Sequence, residues 1–126
     1  MTDNTAIADA FFDAIQRVDM EALRRIYDDD VEIWHNFADT SHGRDANLAT
    51  LAGFSNVRSV RYAIIERFWN GEVLSQRHRL IVTARSGETF DLPVAIFITF
   101  RNGKIYRIYE YFDSAQLQGV VKAMVA

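Results

Sequence analysis

The sequence predicts an α+β domain in which helices cover one face of a strongly curved, mixed but mainly antiparallel sheet. Two observations carry this. Apolar residues recur at helical spacing through the first part of the chain, and three dipeptides, Asn70-Gly71, Ser86-Gly87 and Asn102-Gly103, punctuate the rest at regular intervals. Each dipeptide supplies Gly where a hairpin turn wants positive φ. Helices first and hairpin-linked strands after define the class.

From residue 5 to 18, Ile7, Ala8, Phe11, Phe12, Ile15 and Val18 share one face, predicting an amphipathic helix capped by Asn4 or Thr5. Asp19 reads as the N-cap of a second helix over 20–27, with Leu23, Ile26 and Tyr27 inward. The run Asp28-Asp29-Asp30 ends it as a solvated turn, because negative charge at a helix C-terminus opposes the macrodipole. A strand follows over 31–37. Gly43-Arg44-Asp45 then opens a third helix through residue 54, capped by Asp45. Strands over 57–69, 72–85, 88–100 and 104–113 form an antiparallel meander. Pro93, the sole proline, marks an edge or a bulge. Residues 115–126 close the chain as a short helix.

With 126 residues the chain is one domain spanning 1–126, long enough for a sizeable core. Its net charge of −3 argues against nucleic acid or an anionic membrane as partner. The absence of Cys excludes a disulfide framework, a thiol nucleophile and a Cys-based zinc site. No His/Asp/Glu grouping has metal-ligand spacing and no phosphate-binding glycine loop is present, so neither metal nor cofactor is expected. The N-terminus lacks a secretory pattern and no apolar run reaches the roughly 20 residues that span a bilayer; the expected location is the cytoplasm.

The stretch ending the sheet places one carboxylate among apolar neighbours. Strand alternation puts Ile108, Glu110 and Phe112 on one face and Tyr109, Tyr111 and Asp113 on the other. A core-facing carboxylate is costly to ionise without a cationic or hydrogen-bonding partner. Arg77-His78-Arg79 offers such partners, two arginines sharing a face. The expected site is therefore a pocket lined by Phe12, Ile15, Trp34, Phe54, Ile81, Leu92, Val94, Ile108 and Phe112 around Asn36, Arg77, Arg79 and Glu110. In it Glu110 moves a proton, the arginines steady negative charge and Asn36 orients the ligand. The alternatives are an Arg-Glu-Arg cluster that satisfies itself and an Asn36 bonded to nearby backbone. Strand parity places His35 and His78 on the opposite face, while His42 lies in a loop near the pocket mouth.

The order of elements, the Gly43-Arg44-Asp45 opening and the ending Tyr109-Glu110-Tyr111-Phe112-Asp113 resemble the nuclear transport factor 2-like superfamily, with its cystatin-like fold. Within it the chain is similar to the SnoaL-like polyketide cyclases and limonene-1,2-epoxide hydrolases. The resemblance implies a cone-shaped half-barrel around a deep apolar pocket, and a homodimer formed through the sheet. Against the epoxide hydrolases, Asn36 and Arg77 match, and Glu110 replaces the last Asp. Trp34 stands where Tyr is found and Arg79 where the middle acid is found, which argues against epoxide hydrolysis. The ketosteroid isomerases fit poorly too, because Phe12 and Ile96 occupy their oxyanion-hole positions. What remains implied is a cofactor-independent isomerase, cyclase or lyase acting on a small apolar organic ligand, or a non-catalytic binding or assembly module. Leu80, Val82, Ala95, Phe97, Tyr109 and Tyr111 form the other sheet face, too apolar for water and expected to meet a second copy.

Overall fold

A computed structural model describes residues 4–125. Helix α1 (Asn4–Gln16) buries Ala8, Phe11, Phe12 and Ile15 of the predicted stripe, with Ala14 beside them, while Val18 lies beyond its end. Asp19 accepts a hydrogen bond from Ala22 N at 3.0 Å and caps α2 (Met20–Ile26). Strand β1 (Tyr27–His35) follows without a break. The acidic run is therefore not a turn but the first part of β1, where Arg101 Nη2 donates to the Asp28 carboxylate at 3.2 Å. A short strand, β2 (Thr40–His42), precedes α3 (Arg44–Leu51) and a 3-10 turn (Ala52–Asn56). Gly43, not Asp45, occupies the N-cap of α3, and Asp45 lies in its first turn.

Strands β3 (Ser59–Asn70), β4 (Val73–Thr83), β5 (Thr89–Arg101) and β6 (Lys104–Phe112) form the expected meander. Gly71, Gly87 and Gly103 have φ of 61°, 95° and 75°, the left-handed values that the turns require. Helix α4 (Ser114–Met124) closes the fold, its N-cap Asp113 accepting from Ala115 N and Gln116 N. The predicted end of this helix at Ala126 lies outside the described residues.

The strand order is β2-β1-β6-β5-β4-β3. β1 and β6 run parallel while the other neighbours are antiparallel, so the sheet is mixed and open. Pro93 sits in an interior strand, yet β5 pairs with β6 only from Val94 onward. Its missing N–H thus falls on a locally open flank.

Residue parity within each strand decides what reaches the core. In β4 the buried positions are Leu74, Gln76, His78, Leu80 and Val82. Leu80 and Val82 are consequently core residues, which corrects their expected place on the outer face. In β5, Leu92, Val94, Ile96, Ile98 and Phe100 point inward, and in β6 Ile105 and Ile108 do. α1 packs against β3, with the Phe12 and Tyr62 rings 4.9 Å apart. Burying such side chains contributes about 1.5–3 kcal/mol each, the main force holding helices to sheet. No helix among the described residues is long and apolar enough to cross a membrane.

Candidate functional site

The concave face of the sheet and helices α1, α3 and α4 enclose a mostly apolar cavity of about 260 Å³. Its polar groups come from a few positions that the strand register sets. His35 on β1 pairs with Glu110 on β6, Glu110 with Ile96 on β5, and Ile96 with Gln76 on β4. The inner face therefore carries one row, His35-Glu110-Ile96-Gln76.

Glu110 faces the cavity as alternation predicts, beside Ile108 and Phe112. Its partner is not an arginine. His35 Nε2 lies 3.0 Å from Glu110 Oε1, with the two side chains 18% and 15% exposed. These exposures decide that the pair is shielded from water but still open to the hollow. Val31, Ile33 and His35 alternate inward along β1, so His35 is on the pocket side and the expectation of the opposite face is corrected. Trp34 correspondingly points outward, where Nε1 donates to Asp39 Oδ1 at 3.1 Å and the ring packs on Tyr109 and Tyr111.

The arginines face the other way. Arg77 pairs with Glu66 and Arg79 Nε donates to Asp91 Oδ1 at 2.6 Å, both on the exposed side of β4 with Ile81. None of the three lines the cavity, because a shift of one residue in strand parity exchanges the faces. Asn36 does not open on it either. Its Nδ2 donates to Phe112 O at 3.0 Å and its Oδ1 accepts from Phe112 N at 2.9 Å, clasping the end of β1 to β6. Phe12, Ile15, Phe54, Ile108 and Phe112 line the cavity as expected. Leu92 and Val94 point inward but are packed into the core beside it. His42 lies at its wall.

Sequence reasoning gave no part in the site to Tyr27, expected inward on the second helix, nor to Asn47 or Tyr62, yet all three line the cavity. Tyr27 Oη donates to Asn47 Oδ1 at 2.6 Å, both residues buried. The Tyr62 backbone N–H donates to Gln16 Oε1 at 2.8 Å, and its hydroxyl makes no hydrogen bond to protein among the described residues. Burial first, and the Glu110 charge second, push the ionisation of both phenols upward, so each stays an O–H donor at neutral pH. The signal that could have found His35 was the Val31-Ile33 alternation continued by one step.

His78, expected on the outer face, is instead 1% exposed and lies against the Phe12 and Tyr62 rings. Asp9 Oδ1 accepts from Arg67 Nη1 at 2.5 Å, Arg67 Nε donates to Gln76 Oε1 at 2.6 Å, and Gln76 Nε2 meets His78 Nδ1 at 2.8 Å. With the Gln76 oxygen committed to Arg67, its amide nitrogen is the donor, and His78 carries its proton on Nε2. Burial lowers the His78 pKa to about 4; the Glu110 charge opposes this and Arg67 adds to it. His78 is therefore a neutral imidazole at pH 7.

Residues 8–108 match the SnoaL-like domain family. No curated protein matches the chain by sequence. Among solved structures, IdmH from Streptomyces antibioticus, a candidate polyketide cyclase, superposes with a TM-score of 0.80 at 14% identity, covering 96% of this chain and 99% of its own. TerC, co-crystallized with polyporic acid, gives 0.78 at 19% identity over 96% and 99%. A candidate SnoaL-like polyketide cyclase from Jannaschia sp. CCS1 gives 0.75 at 17% identity over 98% and 92%. At these identities the likeness is one of fold.

Proposed function

The chain belongs to the SnoaL-like domain family, and on that premise we propose that it is a cofactor-independent isomerase or cyclase acting on a small, largely apolar ketone. The single observation that carries this reading is the 3.0 Å His35–Glu110 contact inside an apolar hollow. His35 holds Oε1 and leaves Oε2 facing the ligand. Glu110 Oε2 takes a proton from the carbon next to the carbonyl, and Tyr62 O–H donates to the oxygen on which negative charge develops. The enolate then either regains the proton at another carbon, which isomerises, or attacks a second carbonyl of the same molecule, which closes a ring. In the second case the Glu110 proton goes to the new alkoxide. A dry apolar cavity of about 150 Å³ accommodates benzene, so the 260 Å³ here suits a molecule of roughly two rings. The cyclase descriptions of the structural relatives, and the small molecule co-crystallized with one of them, support the same ligand class. The outer face, with Phe97, Tyr109 and Tyr111 all partly exposed beside Trp34, supports a homodimer through the sheet.

The test is solvent exchange. With 2-tetralone in D2O, proton NMR should show the wild-type protein accelerating loss of the signal next to the carbonyl, and Glu110→Gln returning it to the solvent rate. A Glu110→Gln variant that exchanges as fast as wild type removes the proton-transfer role. A wild type that binds the ketone without exchange replaces the proposal by a binding module of the same fold.

A further inference from the structure

Besides the His35–Glu110 pair, the cavity wall holds a second polar device that proton transfer does not use. Tyr27 begins β1 and pairs with Ile105, whereas His35 pairs with Glu110 five residues further along β6. The two backbone positions are thus on the order of 17 Å apart along the strand. Asn47 reaches the same end of the cavity from α3.

The amide of Asn47 has a defined orientation. Tyr27 is 1% exposed, and its hydroxyl has one hydrogen-bond partner among the described residues, Asn47 Oδ1 at 2.6 Å. Turning the amide over would leave the phenolic proton buried without an acceptor, a costly arrangement. The oxygen therefore faces Tyr27 and the Nδ2 group faces elsewhere. Asn47 is 7% exposed and lines the cavity. Its Nδ2 makes no hydrogen bond to protein among the described residues, and it is not one of the sealed-off buried atoms without a partner. It opens on the hollow as a fixed donor. The cavity wall is otherwise mostly apolar, with Phe11, Ile15 and Leu51 among its lining, and the Thr50 hydroxyl on the same helix is committed as a donor to Ala46 O at 3.2 Å.

We propose that Asn47 is a specificity-determining residue whose Nδ2 donates to a second oxygen of the ligand, distinct from the one that meets Tyr62. Tyr27 acts through Asn47 as the positioning residue that keeps the amide nitrogen turned inward. The inference rests on the reading that the cavity takes a small ketone, and deepens it by naming where the second oxygen sits.

The experiment compares the binding of 2-tetralone with that of 6-hydroxy-2-tetralone, which adds a phenolic oxygen at the far end. In the wild type the added hydroxyl should tighten binding by about tenfold, the worth of one satisfied hydrogen bond. Asn47→Leu should abolish that increment, read as the ratio of the two affinities within the same variant. Tyr27→Phe should shrink it, because the amide is then free to turn. Tyr27→Phe/Asn47→Leu removes both partners, leaves no orphaned hydroxyl, and serves if the single leucine variant fails to fold. Glu110→Gln should keep the increment while losing exchange, which separates this inference from the proton-transfer reading. An increment that survives Asn47→Leu, or is absent from the wild type, overturns the Asn47 role alone. A wild type that binds neither compound overturns both.

Discussion

His35 Nε2 meets Glu110 Oε1 at 3.0 Å across the parallel seam between β1 and β6, a contact between residues 75 positions apart in the chain. The contact holds one carboxylate oxygen, and in the proposed reaction the other takes the proton. Removing the imidazole frees Glu110 to rotate away from its working position, and misplacement of about 1 Å can cost 100-fold in rate. His35→Phe should therefore slow 2-tetralone exchange by 10- to 100-fold with little change in ketone affinity. His35→Gln, which retains a donor, should recover most of the rate. Equal rates in all three proteins would leave His35 no positioning role.

The outer sheet face carries Phe97, Tyr109 and Tyr111 at 39%, 44% and 43% exposure, with Trp34 packed on both tyrosines. Rings clustered in this way favour a partner over water. Sedimentation should show a dimer at micromolar concentration, and Tyr111→Glu should shift it to monomer. A wild-type monomer would remove the interface.

His78 ties stability to acid. Its folded pKa of about 4 lies below the ordinary 6.5 because burial disfavours the imidazolium. Between those values the unfolded chain binds the proton and the folded one does not, so stability rises with pH in that window and is lost as pH falls from 6.5 toward 4. The full difference is about 3 kcal/mol. Urea midpoints measured across this range should fall on acidification, and His78→Leu should flatten the slope while lowering the midpoint at pH 7, since Gln76 Nε2 loses its acceptor. An unchanged slope would assign the acid sensitivity to other groups.

Gly119 holds α4 against β5. A Cβ there would lie 2.2 Å from Phe90 Cε1 and 2.8 Å from Cδ1, well inside contact distance. Gly119→Ala should destabilise the protein by about 1–3 kcal/mol despite the better helix propensity of alanine. Phe90→Ala combined with it should cost less than the two changes summed, because the clash is gone. Strict additivity in a thermal melt would contradict the packing.

The elements were legible because their signals are local. The Gly turns placed three hairpins, and helical spacing placed α1 with its buried stripe. Strand parity was less legible where both faces are apolar. Leu80, Ile81 and Val82 are consecutive in β4, so alternation does not say which side meets the core. Electrostatic attraction then suggested turning Arg77 and Arg79 toward Glu110, but Glu66 and Asp91, on the strands flanking β4, take them on the outer side. Trp34, expected inward with Asn36 by strand parity and by the resemblance, is received outside by Tyr109 and Tyr111. Tyr27 and Asn47 meet across 20 residues through a strand and a helix, a contact that no periodicity encodes.

The parallel seam also sets an order of events. β1 is synthesised early, yet the neighbour that completes its pairing is the last strand, and Asn36 is clasped by Phe112 only when that strand arrives. Pairings so distant in sequence form slowly. A nascent chain must keep Val31 and Ile33 out of unwanted associations until β6 emerges, and the His35–Glu110 contact can form only at the final stage of folding.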